Sequence, residues 1–477
     1  MRLRPDSVSG ERRSERLAGR VFFAGSFMRA FCVLSVFLCC LVCKSRRAGG
    51  VPLLEKAEHF MVLDGSLKSF FFGVHMPFHS PELLNFMGWN EDRGAMALVD
   101  VRLKLEGTHK NRWKWQMHMR SQGLASSFPN AMDAMGTAGS ARPPRSLPMQ
   151  TYRPDDPTFS LYHDIDRLNV RYRTGPVDII LGRQPISFGV GFVWQPVDLV
   201  GTFSPLEVDR EYKPGVDALR VNWMIGMFTE MSFVAAIAGP ACRGGSLPSG
   251  ESCHDYMPRF TLEHSVALAR YRTTVDKWDL GILGGWVRGD VVGGVFVTGA
   301  VKRFRFRSEA VVTWDIERDT RYAGDGGSNE GEVFVRAVLG ADYNFDTEKP
   351  LSLLVELYYN GFGTRKTEEY LTRMQQPRVA EFGEVVNVGL FYAAMGGRWQ
   401  PHERVELTFT AMANLMDPSV HISGAMTYRV SDNSVLSCGA LVPVGKSPKI
   451  NALGFPEIQS EFGFYPHLYY LAWKMYF

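Results

Sequence analysis

The sequence is short of long apolar runs. Its 477 residues contain one, residues 31–43 (FCVLSVFLCCLVC), and that run holds thirteen. A membrane-crossing helix takes about 20, so a polytopic helical membrane protein is excluded. If the chain crosses a membrane, it does so as a closed β-barrel, the other architecture that satisfies backbone N–H and C=O groups in lipid. Cysteine is scarce past the first fifty residues: Cys32, Cys39, Cys40 and Cys43 lie within them, and only Cys242, Cys253 and Cys438 follow. No C-x-x-C pair occurs outside that first stretch, and no H-E-x-x-H, G-x-S-x-G or P-loop pattern occurs. The expectation is no metal site, no cofactor and no catalytic residues. Nucleic acid is also disfavoured as a partner. The formal charge is +3, but residues 1–50 hold 10 Lys and Arg against 3 acids, a net +7 that leaves −4 for the rest.

Residues 1–50 read as an N-terminal extension and signal peptide, with Met28 as a second candidate start and Ala48 near a candidate cleavage point. A retained anchor is the alternative. Residues 51–477 form the second unit. Export to an oxidising compartment makes Cys242 and Cys253, in a Gly/Pro/Ser-rich stretch, a candidate loop disulfide; two free thiols are the alternative. Cys438 reads as a small packing residue.

From about residue 65 the dominant pattern is alternation, not helical period. Val99, Val101, Leu103 and Leu105 oppose Asp100, Arg102, Lys104 and Glu106. Trp113, Trp115, Met117 and Met119 oppose Lys114, Gln116, His118 and Arg120; Phe304, Phe306, Val312 and Trp314 oppose Arg305, Arg307 and Glu309. Successive strand residues face opposite sides, so each segment has a greasy face and a charged one. The segments run about ten residues, the length of a tilted membrane strand, with aromatics near their ends. Eighteen candidate strands can be drawn, the first near 65–74 and the last at 466–477. The fold class is therefore all-β: a transmembrane antiparallel up-and-down barrel of 16 or 18 strands. Breaks at 174–176, 225–226 and 288–289 suit tight turns, whereas 121–164, 240–258, 315–331 and 361–384 are long.

Residues 182–217 (GRQPISFGVGFVWQPVDLVGTFSPLEVDREYKPGVD) fit neither strand nor helix. A loop this long in a compact fold usually has a function. Its Gly182-Arg183-Gln184, Ile186, Phe188-Gly189, Pro196, Asp198 and Asp209-Arg210-Glu211-Tyr212-Lys213 with Gly215 and Asp217 resemble a bacterial outer-membrane porin-like group. The terminal strand HLYYLAWKMYF, ending in Phe477, resembles the assembly signal of bacterial outer-membrane barrels. The first resemblance implies an outer-membrane channel with this segment folded into the pore, placing Arg183, Asp198, Asp209, Arg210, Glu211, Lys213 and Asp217 in a constriction loop. The second implies lipid and the barrel-assembly machinery as partners. A charge lattice that merely holds the loop is the alternative role for those residues. Charged side chains cost about 2–4 kcal/mol against lipid at the midplane, so the charged faces must line the interior. Arg102, Lys104, Arg112, Lys114, Arg120, Arg167, Arg171 and Arg173 would form one wall, and Arg303, Arg305 and Arg307 another. Rings of Arg and Lys favour anions. The expected function is diffusion of small hydrophilic, anionic solutes; the competing readings are an adhesin or structural barrel with a plugged lumen, and a barrel enzyme.

Overall fold

The computed structural model describes the chain from Gly50 to Phe477, except residues 57, 87–88, 90, 129–143, 157, 202–206, 240–259, 317–332 and 452–453. The expected leader and the Cys242 and Cys253 pair lie outside the described residues.

Eighteen antiparallel strands close into a barrel: β1 (His59–His75), β2 (Arg93–His109), β3 (Trp113–Ser126), β4 (Phe159–Thr174), β5 (Val177–Gln184), β6 (Val216–Met224), β7 (Thr229–Ala236), β8 (Val266–Val275), β9 (Trp278–Val287), β10 (Asp290–Val301), β11 (Phe304–Asp315), β12 (Val333–Asn344), β13 (Leu351–Asn360), β14 (Phe391–His402), β15 (Val405–Asn414), β16 (Ser419–Ser431), β17 (Ser434–Val444) and β18 (His467–Tyr476). Each pairs with its sequence neighbour, and β18 pairs with β1 from Ser66↔Tyr476 to His75↔His467. Phe477 adds a last reciprocal pair, with Gly65 N–H to Phe477 C=O at 2.8 Å and Phe477 N–H to Gly65 C=O at 3.0 Å. The β18–β1 pairing closes the ring, which leaves no open edge in the spanning region.

Alternation sets the two faces. On β11, Phe304, Phe306, Val312 and Trp314 are exposed on the outside while Glu309, Val311 and Thr313 are buried inside. Trp113 stacks near Tyr172 at 4.4 Å and Phe304 near Tyr343 at 4.6 Å at one end of the outer face; Tyr359 meets Phe391 at 5.0 Å at the other. Ten residues separate Phe304 from Trp314, about 26 Å of height for a strand tilted near 40°, which matches a bilayer's apolar band.

Turns at one end are short, and several use left-handed residues: Lys110 and Asn111, Gly175, Gly226, Asp276 and Lys302. The other end carries the long segments 76–92, 127–158, 185–215, 237–265, 316–332, 361–390 and 445–466. The tight turn at Arg288-Gly289 sits among these long segments, between β9 and β10.

The barrel wall departs from regularity at β4. The register shifts between His118 and Met119 of β3, so Asp166 is the extra residue of a bulge on β4. A bulge reverses the alternation, and Asp166 and Arg167 consequently both bury inside. The edge of β4 that faces β5 is also shared. Its lower part pairs with β5 (Leu168↔Arg183 to Thr174↔Val177), and its upper part with the short strand Gln150–Asp156. The sheet forks at residues 165–167.

The interior is not uniformly polar. Val216, Ala218, Val234, Ala236, Val266, Leu268, Leu283, Val292, Phe296 and Val311 make an apolar inner wall on β6–β11. Ile186, Phe188, Val197, Leu199 and Val200 of the segment after β5 pack on it. A second cluster, built on Phe70, Phe72, Val74, Met76, Phe78 and Trp89, fills the inside near β1–β3.

Candidate functional site

The fork in the sheet requires charge and finds it. Three side chains with little exposure converge there. Arg183 Nε donates to Asp217 at 2.7 Å, its Nη1 to Asp164 at 3.3 Å and its Nη2 to the Leu147 carbonyl at 2.7 Å. Arg145 donates to Asp164 at 2.8 Å and to the Gly215 carbonyl at 2.8 Å. Asp166 accepts from Arg102 at 2.5 Å, Arg167 at 2.9 Å and the Gly215 N–H at 3.0 Å. A Cβ at Gly215 would lie 2.1 Å from the Asp166 carbonyl, so only glycine lets the chain pass. Gly182 has φ +114° and would place a Cβ 2.2 Å from the Leu168 carbonyl. These contacts explain the spacing of Gly182-Arg183, Gly215 and Asp217. Arg183 is fully buried and saturated, so here the residues of the sequence motif hold the wall together.

Residues 185–215 then cross the interior. On the β11–β13 side, two carboxylates seize the backbone. Glu309 accepts N–H groups from Val190 at 2.9 Å, Gly191 at 2.5 Å and Val197 at 2.9 Å; Glu356 accepts from Phe192 at 2.8 Å, Val193 at 3.0 Å and Trp194 at 2.8 Å. A stretch without regular structure inside a barrel has backbone donors to satisfy, and these two side chains satisfy six. Trp194 stacks on Tyr358 at 5.2 Å and donates its indole N–H to Asn387 of the 361–390 segment at 2.9 Å. Asp198 is buried against Lys213, tying the outgoing and returning arms of the loop together.

The returning arm reaches the far wall. Asp209 pairs with Lys68 of β1 at 2.7 Å and Lys474 of β18 at 2.8 Å, and Glu211 with Lys68 at 2.6 Å. Tyr212 lies under three cations, Arg102 at 4.3 Å, Lys68 at 4.9 Å and Lys104 at 5.1 Å. Strands β11 and β13 lie seven and five places from β18 in an eighteen-strand ring, so a loop anchored to both walls crosses the lumen. Burial pushes the Asp209 carboxyl up, but Lys474 and Lys68 outweigh it and hold it below the usual carboxylate range.

Arg210 stands between the two anchored acids Asp209 and Glu211. It is exposed within the ring and makes no ion pair among the described residues. Glu207 is pushed up to about 7 by burial, with Arg210 and Arg120 pulling it down. The mouth above is filled by the 361–390 and 445–466 segments. Glu384 lies between Arg336 at 2.6 Å and Arg378 at 3.4 Å, and Glu461 accepts from Asn387 at 3.0 Å and Asn414 at 2.9 Å.

Of the expected wall cations, most face inward but are neutralised. Arg102 meets Asp166, Lys104 meets Asp64 at 3.0 Å, Lys114 meets Glu106 at 2.9 Å, Arg120 meets Asp100 at 2.6 Å, and Arg171 and Arg173 both approach Asp178. Arg305 and Arg307 share Asp342 at 3.4 and 3.5 Å, and Arg307 donates to the Val190 carbonyl of the loop at 3.0 Å. Arg112 and Arg303 lie in turns at the short end, because each falls one residue outside its strand; Arg303 pairs with Asp346 of the next turn. Sequence reasoning missed Arg220 and Arg270, which face inward from β6 and β8. Arg220 donates to Asn222 at 2.9 Å, and Arg270 stands over the rings of Phe296 at 4.6 Å and Phe188 at 5.1 Å; neither has an ion pair among the described residues. Their signal was present: Ala218, Arg220, Asn222 and Leu268, Arg270, Arg272 repeat at intervals of two.

No family model matches the chain, and no curated protein matches it. Among solved structures, the fold is similar to that of OccAB1 from Acinetobacter baumannii, at 8% identity and a TM-score of 0.51, over 91% of this chain and 98% of that one. It is also similar to OccAB2 from the same organism, at 8% identity and a TM-score of 0.50, over 87% of this chain and 98% of that one.

Proposed function

We propose that the chain is an outer-membrane channel that passes small hydrophilic, anionic solutes. The observation that supports this reading is Arg210, an exposed cation on a loop that crosses the interior, while its neighbours Asp209 and Glu211 are paired with Lys68 and Lys474. Arg220 and Arg270, cations without ionic partners among the described residues, extend the same charge along the inner wall. An arginine fork is suited to carboxylate and phosphate groups. Arg210 and the wall cations Arg305 and Arg307 are the proposed solute contacts; Arg183, Asp198, Lys213 and Asp217 are proposed to hold the loop. Residues 1–50 are proposed to direct export, and the β18 strand with Phe477 to engage the assembly machinery. No catalytic role is proposed for any residue.

Planar-bilayer recording with an asymmetric salt gradient tests the proposal. A reversal potential of the anion-selective sign is expected. A barrel whose mouth is closed by Trp194, Phe462 and the 361–390 segment is the second reading, favoured by their burial. Such a barrel carries no current in the same recording, and a cation-selective current defeats the anion assignment.

A further inference from the structure

At the outer rim of the barrel, β1 and β18 part company immediately beyond His75↔His467, the last pair of the closing seam. Both imidazoles lie on the outer face there, with ring centroids 5.6 Å apart. The loop that leaves β1 returns His79 to within 6.1 Å of the His75 ring, and His79 Nδ1 meets the Asp92 carboxylate. This arrangement is fixed from beneath. Phe78 is buried in the inner cluster, and Met76 N–H donates to the Asp92 carbonyl at 2.7 Å, so the two ends of the loop are tied together. One donor atom each from His75, His79 and Asp92 lies within 4.8 Å of the others. His75 Nε2 is buried and has no hydrogen-bond partner.

We propose that His75, His79 and Asp92 bind a divalent transition-metal ion of the zinc type, and that the ion, through His75 stacked on His467 at 5.6 Å, steadies the seam. Two imidazoles with one carboxylate form a borderline-soft set that suits zinc, with the fourth position left to water. Calcium and magnesium prefer all-oxygen shells, so the site discriminates against the ions abundant at a bacterial surface. Tetrahedral zinc needs donors about 3.3 Å apart, given metal–nitrogen bonds of about 2.0–2.1 Å. His79 is 69% exposed and can swing to close the difference. Binding satisfies the orphaned nitrogen of His75. The ion would join the first strand to both ends of the loop between β1 and β2, beside the place where the ring is closed by residues almost 400 positions apart.

The test uses the whole exported chain in detergent, stripped with chelator and titrated with zinc chloride, with cobalt(II) substituted to report tetrahedral ligand-field bands. One ion per chain is expected, weakened roughly tenfold or more in His79→Ala and in Asp92→Asn. Zinc should raise the temperature at which the folded barrel shifts to unfolded mobility on a gel, in the parent and not in the variants. That gel also confirms that each variant folds. Equal zinc binding by a His79→Ala/Asp92→Asn double variant, no stoichiometric binding by the parent, or binding of calcium as tight as zinc would each overturn the proposal.

Discussion

Glu207 and Arg210 form the titrating element of the lumen. Burial raises the Glu207 carboxyl to about 7, so it is ionised above that pH and neutral below it. Ionised, it screens Arg210; neutral, it leaves the guanidinium field unopposed. Anion selectivity is therefore expected to rise as pH falls through about 7, and Glu207→Gln should hold it at the acid level throughout; reversal potentials across that range check this. The same raised pKa makes the seating of the loop firmest below the ordinary glutamate value of about 4.5 and weakest above about 7, because ionisation is disfavoured in the folded state. Arg210→Ala should lower anion preference without changing thermal stability, since the side chain makes no ion pair among the described residues. Glu309→Ala is the opposite case. It strands three backbone N–H groups inside the barrel, a loss of about 1–3 kcal/mol for an unsatisfied buried group, and should appear as noisier, larger conductance from a loosened loop.

At the scale of elements, the crossing loop is held by grease at one end and charge at the other. Phe188→Ala should cost about 3–5 kcal/mol where that ring packs on the β6–β11 wall. The double change Asp209→Asn with Glu211→Gln should instead free the returning arm from Lys68 and Lys474 while leaving the packed arm in place; protease accessibility of the loop in intact vesicles separates the two. The eighteen strands were legible within a few residues because alternation is a local signal and each strand repeats it. The loop was also legible, as a long polar interruption between β5 and β6. Its partners were not. Glu309 reads as an ordinary inward charge and Glu356 has no sequence signal of its own; nothing local says that each captures three backbone amides from residues more than a hundred positions earlier. Arg183 and Asp217 read as lumen charges because the fork in the sheet that buries them depends on a bulge at Asp166, one residue that no alternation pattern announces. The apolar inner wall had a visible sign: β9 and β10 carry apolar residues on both faces, as in Ile282-Leu283 and Val295-Phe296, where a water-facing interior calls for one polar face.

At the scale of the whole molecule, eighteen strands, an apolar outer belt and a last strand paired to the first make detergent or lipid a requirement for a folded monomer. Removing Phe477 should lower the yield of heat-modifiable barrel, because it deletes the reciprocal pair with Gly65 that ends the seam. The loop's anchors also impose an order of events. Asp209 waits for Lys474, which lies 265 residues further along the chain. Contacts of such separation form slowly. Until the final strand seats, the returning arm has Lys68 of β1 but lacks Lys474, so an unsealed barrel holds the crossing segment more loosely than the finished one. Selectivity of this kind would then be set late, when closing the seam brings Lys474 to Asp209.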